Sequence, residues 1–178
     1  ERIFAVAALD EEKRDAQALE TPYPVAGVGV IRACKQNEDG TSNLILQGLA
    51  RVKFDQIICE DPYRRARIQQ LFSVSDGSEK TRDAIKSTIL AHLQTQVRLG
   101  ADIPLEVLQF LSKIEEVENI LDMAIYTLCP PGRFKQELLE TCGILERFEK
   151  FQRLLRSQIE RLKINFFLIT FQYFHLVE

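Results

Sequence analysis

The sequence is poor in the residues that build metal and redox sites. Its 178 residues include no Trp, one Met, two His and four Cys. No two cysteines have the two-residue gap of a zinc knuckle or a redox motif. We interpret the cysteines as reduced, mostly buried thiols, typical of a cytoplasmic protein, and predict no metal site and no cofactor. The four cysteines are Cys34, Cys59, Cys129 and Cys142, and the two histidines are His92 and His175.

The motifs of common enzyme classes are also missing. The sequence has no Gly-x-x-x-x-Gly-Lys-Ser/Thr phosphate loop and no Gly-x-Ser-x-Gly elbow. Gly27 and Gly29 form a Gly-x-Gly pair without a third glycine, which is typical of a strand with a bulge or a close backbone approach. Glu115, Glu116 and Glu118 lie near a predicted helix start, where the helix dipole favours negative charge. We therefore predict no catalytic residue and no enzymatic activity.

The sequence also has a small net charge and no apolar run long enough to span a bilayer. The net charge of −3 gives no electrostatic argument for binding nucleic acid or an acidic membrane. The apolar tail, residues 164–178, is shorter than the about 20 residues that span a bilayer. Its aromatic and β-branched content favours a strand. We interpret it as a cloning or read-through artefact, or else as a segment that continues the last helix or docks on a partner chain. The first residue is Glu1 rather than Met, which indicates a fragment.

The hydrophobic pattern of the sequence changes near residue 75. Before it, turn signals separate short β-type runs, and Asp39-Gly40 is a typical hairpin turn. Residues 10–21 read as a loop or a short exposed helix. About five strands with short connections favour an antiparallel or mixed small barrel. The predicted strands are Ile3–Leu9, which we expect to be buried, Val25–Ile31, Asn43–Leu49, Val52–Ile58 and Tyr63–Phe72.

After residue 75 the apolar residues repeat at helical spacing. Ser78 is a predicted N-cap for a helix over residues 79–98, which Gly100 terminates. A short helix is predicted after Pro104. Ser112 and Glu115 have the spacing of a capping box for the next helix. A further helix carries Phe134, Leu138 and Cys142 on one face, with Gly143 as its C-cap.

The last predicted helix is the longest. Its apolar and charged positions alternate as in a coiled coil, and a solvated helix on the bundle surface explains them equally well. The apolar face comprises Leu145, Phe148, Gln152, Leu155, Ile159 and Leu162. The charged face comprises Glu146, Arg147, Glu149, Lys150, Arg153, Arg156 and Glu160.

Two groups of motifs resemble one known family, the amino-terminal domain of Lon-type proteases. Residues 23–31, with sequence Tyr-Pro-Val-Ala-Gly-Val-Gly-Val-Ile, lead through Asp39-Gly40-Thr41 to residues 46–51, which end in Gly-Leu-Ala-Arg. Residues 136–140 and 145–148 resemble a short helix ending in Leu-Leu-Glu and a long helix beginning with a Glu-Arg pair. The resemblance covers residues 1–163. Where the family has glycine then threonine, this chain has Ala26 then Gly27.

The resemblance implies an α+β fold: a PUA-like β domain over residues 1–74, a helical bundle over 75–163, and the tail 164–178. The family opens with a strand, a Phe-Pro-Gly turn and a helix that are not seen here, so we expect a sheet edge beside residues 3–9 to be exposed unless another segment covers it. In Lon these regions engage unfolded or tagged proteins and help organise the hexamer. The ATPase and Ser-Lys protease motifs of a full Lon protease are not in this sequence.

The sequence and the resemblance lead to three hypotheses about function. The first is a protein-interaction module that holds apolar client segments by β-addition or in a groove, with Tyr23, Phe54, Tyr63 and Phe72 as candidate partner-binding residues. A role in the core is the simpler alternative for these four. The second is an RNA-binding PUA-like module, for which Arg64, Arg65 and Arg67 form the only local basic cluster; a solvated strand face is the simpler explanation of that cluster. The third, a small hydrolase, has no supporting motif.

Overall fold

The computed structural model describes residues 3–13 and 20–175 and divides the chain into two compact units, residues 1–73 and residues 74–178. The predicted α+β class is confirmed, because the first unit contains a sheet and the second contains helices. The strands are β1 Ile3–Val6, β2 Val25–Gln36, β3 Ser42–Cys59 and β4 Arg65–Leu71. The helices are α1 Glu79–Arg98, α2 Leu105–Lys113, α3 Val117–Leu128, α4 Arg133–Glu140 and α5 Ile144–His175, and a 3₁₀ turn spans Glu11–Lys13.

The four strands form one antiparallel sheet in chain order, β1-β2-β3-β4. The predicted Asp-Gly turn joins β2 to β3. Gly40 has a φ of 84°, which glycine adopts without steric cost, and the backbone N–H of Thr41 donates to Oδ1 of Asp39 over 2.9 Å. This turn sets the register beside it, in which Gln36 faces Ser42, and two register shifts follow before Val28 faces Ala50 and Ala26 faces Val52.

The prediction of two separate strands over residues 43–49 and 52–58 is wrong, because β3 runs unbroken over 18 residues. Its first part pairs with β2 and its second part with β4. The register of the β2–β3 ladder shifts between Val28 and Gly29, where Leu49 is the extra residue. A bulge of this kind bends a strand without ending it, so the irregularity in the sequence marks a bulge and not a turn.

The core of the first unit is small. Ala26, Val28 and Val52 are buried on one face of the sheet, and Ala7, Ala50 and Phe54 pack against them. β1 lies at the edge of the sheet, and its residues Ile3, Phe4 and Val6 are exposed. The prediction of a buried first strand is therefore wrong, because the buried cluster that the structure describes in this unit consists of Ala26, Val28 and Val52 and does not include these three residues.

The helical unit has the larger core, and its first helix begins as predicted. The side chain of Ser78 accepts a hydrogen bond from the backbone N–H of Thr81 and caps α1. Ile85, Ile89 and Leu93 then line the buried face of α1 at four-residue spacing. The core is completed by residues of the other four helices and by Cys129 just after α3, and these residues are Leu111, Val117, Ile120, Leu121, Ala124, Ile125, Cys129, Leu138, Ile144, Phe148, Phe151 and Leu155.

Two predicted helix boundaries are wrong. Ser112 lies within α2 and its hydroxyl donates to the carbonyl of Gln109, so it does not cap α3, which begins after Glu116 with no side-chain cap. The C-cap of α4 is Thr141. Gly143 instead precedes α5, where its carbonyl accepts from the backbone N–H of Arg147. Glycine is common at helix ends, so its type alone did not say which helix it serves.

The last helix differs from its prediction in two ways. It continues to His175, so the strand preferred for the apolar tail is wrong over the described residues. Helix propagation from a stable upstream segment adds one backbone hydrogen bond per residue, which outweighs the modest intrinsic preference of aromatic residues for strands. Arg147, assigned to the solvated face, is buried, while Phe151, assigned to neither face, lies fully in the core.

The cysteines are less buried than predicted. All four are free, but only Cys129 is buried, and Cys34 is exposed. The three others lie in or beside strands and loops outside the helical core, so the expectation of mostly buried thiols is wrong. Over the described residues, none of the helices has both the length and the apolar character needed to cross a bilayer.

Candidate functional site

β4 is an edge of the sheet with exposed aromatic residues at both ends. Over residues 3–13 and 20–175, the only strand paired with β4 is β3, with Phe54 opposite Ile68 and Val52 opposite Gln70. Tyr63, two residues before the strand, is 66% exposed, and Phe72, directly after it, is 71% exposed. A strand rises about 3.3 Å per residue, so these two side chains are up to roughly 30 Å apart and flank the open edge without sharing one pocket.

The other two predicted partner-binding residues take part in the packing of the sheet. Phe54 is half-buried against the cluster of Ala26, Val28 and Val52, and its backbone N–H donates to the carbonyl of Pro24 over 2.8 Å. Tyr23 is half-buried, and its backbone N–H donates to the carbonyl of Ala8 over 2.8 Å. The four residues are therefore not brought together: two lie in or near the core and two flank β4.

The sequence reasoning missed exposed aliphatic residues beside the same edge. Ile57 and Ile58 are both exposed although they are consecutive in β3. The β3–β4 register shifts between Ile57, which faces Ala66, and Cys59, which faces Arg65, so Ile58 is the extra residue of a bulge. Strict alternation does not hold across a bulge, so the sequence pattern alone did not predict that both isoleucines are accessible.

Two residues of the basic cluster Arg64, Arg65 and Arg67 already bond other residues of the chain. Nε of Arg64 lies 2.7 Å from Oε2 of Glu60, and its Nη1 donates to the carbonyl of Glu20 over 2.5 Å. The side chain of Arg65 bonds the Cys59 thiol, which lowers the pKa of Cys59 and raises that of Arg65. Arg67 is exposed. Two of the three predicted RNA contacts thus hold the β3–β4 turn in place.

A shallow depression of about 430 Å³ runs along α1 in the helical unit. Its hydroxyl groups bond the helix itself, since Ser87 donates to the carbonyl of Asp83 over 2.7 Å and Thr95 to that of Ala91 over 2.8 Å. Burial, and next the nearby charge of Arg156, lower the pKa of His92 in this depression. Among the residues that the structure describes, no group of three or more His, Cys, Asp or Glu side chains is placed to hold a metal ion.

Comparison with known proteins places these features in a family. Residues 1–157 match the family described as "ATP-dependent protease La (LON) substrate-binding domain". Lon protease of Desulfosudis oleivorans is 28% identical over 142 residues, which are 80% of this chain and 17% of that protein. Lon protease of Desulforamulus reducens is 24% identical over 167 residues, which are 93% of this chain and 20% of that protein. The chain thus spans about a fifth of the length of the curated relatives it matches.

Two solved structures share the fold. The N-terminal domain of Mycobacterium avium complex Lon protease superposes with a TM-score of 0.58 at 13% identity, covering 89% of each chain. The Lon N-terminal domain protein of Xanthomonas campestris superposes with a TM-score of 0.54 at 13% identity, covering 85% of this chain and 75% of the other. At this identity the likeness concerns the fold, in which a sheet unit is followed by helices.

Proposed function

Since the chain belongs to the family of Lon substrate-binding domains, we propose that its β unit binds extended apolar segments of unfolded or tagged client proteins. The observation that carries the proposal is the open edge of β4 flanked by Tyr63 and Phe72. In a Lon-type protein, whose other domains would supply ATP hydrolysis and proteolysis, such a module presents clients to the protease. Four free thiols support the cytoplasmic location expected from the sequence.

The edge of β4 supplies the main-chain part of this recognition. A strand that pairs on one side only presents a row of backbone N–H and C=O groups on the other side, and an extended peptide satisfies them by adding as a further strand. These bonds do not depend on the client sequence. They suit a binder whose clients share an unfolded state and not a sequence.

The exposed side chains supply the preference for apolar segments. Tyr63 and Ile58 lie at the β3–β4 turn, Phe72 lies at the far end of β4, and Ile68 is exposed between them. Aromatic residues contribute large contact areas at interfaces, and their removal often dominates the loss of affinity. An extended client of about eight residues is long enough to reach from one aromatic residue to the other.

The comparisons do not favour the RNA-binding alternative, because the match is to a family of protease substrate-binding domains. The engagement of Arg64 with Glu60 and of Arg65 with Cys59 also leaves less basic charge for phosphate groups.

Fluorescence anisotropy of a labelled, permanently unfolded protein, titrated with the 178-residue chain, tests the proposal. We expect binding at tens of micromolar or tighter, and Tyr63→Ala and Phe72→Ala should each weaken it about tenfold. Tyr126→Ala and Phe110→Ala are matched controls, since these residues are also exposed but lie on α3 and α2. Absence of binding, or an equal loss in the control variants, contradicts the proposal.

A peptide comparison isolates the main-chain part. An eight-residue peptide of alternating apolar residues should bind. The same peptide should bind at least about tenfold more weakly when N-methyl groups block the alternate backbone nitrogens on the peptide edge that pairs with β4. Equal affinity of the two peptides would show that side chains alone hold the client and that β-addition does not occur.

A further inference from the structure

We propose that the β4 edge selects client segments in which acidic residues alternate with apolar ones, and that Arg67 determines the preference for the acidic positions. This inference rests on the proposed client binding, because it names the class of client that the same edge takes. It follows from the way in which the register of β3 and β4 divides basic and apolar residues between the two faces of the sheet.

The charge of these two strands is opposite in sign to that of the whole chain. β3 and β4 contain one acidic residue, Asp55, and four basic residues, Arg51, Lys53, Arg65 and Arg67. Four positive charges against one negative charge leave a formal charge of +3, whereas the net charge of the whole chain is −3. A local concentration of positive charge attracts carboxylates to this part of the sheet.

The register places the basic residues on one face. Gln69 of β4 faces Lys53 of β3. Both bulges of this ladder have their extra residue in β3, so the alternation of side chains along β4 is unbroken. Arg65 and Arg67 therefore lie on the same face as Gln69 and Lys53. Lys53, Arg65 and Arg67 are all exposed, which leaves this face basic and accessible.

The other face of β4 is uncharged. Ile68 faces Phe54, and Ala66 faces Ile57. Ile68 is 43% exposed and Ile57 is 38% exposed, so both have surface left for a further apolar neighbour. The two faces of the same strand thus offer different chemistry to a strand that pairs with it.

An added strand brings its own alternating side chains next to those of β4. Side chains directly opposite in such a pair have their Cβ atoms roughly 5 Å apart; opposite charges there stabilise the pair and like charges destabilise it. Arg65 and Arg67 are about 7 Å apart along the strand, so two acidic client residues spaced by two positions would lie beside both. The client residues on the other face would lie beside Ala66 and Ile68, where apolar side chains fit.

Arg67 has the strongest influence on this selection because of its place in the sheet. The side chain of Arg65 already bonds the Cys59 thiol. Among the residues that the structure describes, no carboxylate forms an ion pair with Arg67 or Lys53. Lys53 lies one strand further from the edge, about 10 Å from an added strand, where salt screens most of its attraction.

Three labelled eight-residue peptides, titrated with the 178-residue chain by fluorescence anisotropy, test the selection. Each has Val at alternate positions and Glu, Gln or Lys at the others. We expect the Glu peptide to bind about tenfold more tightly than the Lys peptide, with the Gln peptide between them. This difference should shrink between about 50 mM and about 300 mM salt, since the charges are exposed.

Charge reversal identifies the residue responsible. Arg67→Glu should invert the order, so that the Lys peptide binds best, and Lys53→Glu should reduce the difference without inverting it. Both residues are exposed, and circular dichroism checks that the variants are folded. Arg153→Glu is the matched control, because it changes the net charge equally at an exposed position of α5.

The outcomes separate this inference from the proposed client binding. Equal affinity of the three peptides would overturn the selection and leave client binding standing, whereas a lack of binding by all three would contradict both. An Arg67→Glu variant that keeps the wild-type order, or an equal change in Arg153→Glu, would also overturn it. A single-stranded RNA that binds more tightly than the Glu peptide and is lost in Arg67→Glu would assign the basic face to nucleic acid instead.

Discussion

Nη1 of Arg147 lies 2.7 Å from Oδ1 of Asp122, and this pair joins α5 to α3. The Arg147 side chain is 1% exposed and the Asp122 side chain is 44% exposed, so the pair connects the core to the surface. Nη2 of Arg147 also lies 3.6 Å from a carboxylate oxygen of Glu118. A buried guanidinium needs its partners, because removing one leaves a charge that water cannot reach.

The first prediction follows from this pair. Asp122→Ala should lower the free energy of unfolding by about 1–3 kcal/mol, because Arg147 stays buried with one carboxylate fewer. Glu118→Ala should cost less, since its contact is longer. Urea denaturation of the helical unit measures both values. Glu149→Ala, an exposed position on the same helix, is the control. An Asp122 variant no less stable than this control would refute the role of the pair.

A second prediction concerns the two glycines of β2. A Cβ added to Gly29 would lie 2.7 Å from the carbonyl oxygen of Gln47, whereas one added to Gly27 would meet no atom within 4 Å. Gly29→Ala should therefore destabilise the β unit by about 1–3 kcal/mol through a forced backbone shift. Gly27→Ala should change its stability by less than about 1 kcal/mol. Denaturation midpoints for the two variants decide the matter; equal effects would argue against the close approach at Gly29.

A third prediction concerns thiol reactivity. The hydrogen bond from Arg65, and next the backbone contact at Asp61, lower the pKa of Cys59, while burial raises the pKa of Cys129. Since the thiolate is the reactive form, Cys59 should be alkylated by iodoacetamide at pH 7 faster than Cys129. Arg65→Gln should slow the reaction of Cys59 and leave that of Cys34 unchanged. Peptide mass mapping over time gives the rates, and an unchanged Cys59 rate in that variant would contradict the assignment.

A fourth prediction concerns pH. Burial, with the charge of Arg156, lowers the pKa of His92 in the folded chain. The unfolded chain therefore binds the proton first as the pH falls, and stability that is full above the unfolded pKa of about 6.5 decreases below it. His92→Gln should lose less stability than wild type between pH 7.5 and 5. Urea midpoints at both pH values test this; identical losses would exclude His92 as the cause.

The sequence predicted best where one local signal decides the structure. Ser78 and the four-residue repeat of Ile85, Ile89 and Leu93 define α1, because capping and periodicity are local properties. The α+β class follows from the same kind of signal. Arg147 was misplaced because its burial depends on Asp122, 25 residues away, and periodicity carries no information about a partner on another helix.

The candidate site was predicted less well for a similar reason. Tyr63 and Phe54 are both aromatic residues of the β unit, but only the ladder register shows that Phe54 packs against Val52 while Tyr63 lies outside the strands. Ile58 was missed because a bulge, which no single residue type announces, changes the side to which it points. Side-chain accessibility in a sheet is therefore set by register, and register is a non-local property.

The chain-order sheet has a consequence for synthesis on the ribosome. Each strand pairs with the strand just before it, so every ladder can form as soon as its later member has emerged. The helical unit depends on contacts between residues that are far apart in the sequence. Gln96 in α1 hydrogen-bonds Gln158 in α5 over 3.0 Å across 62 residues, and the core of α1 packs against Phe151 and Leu155. The β unit can therefore be folded while the helices still wait for α5 to be translated.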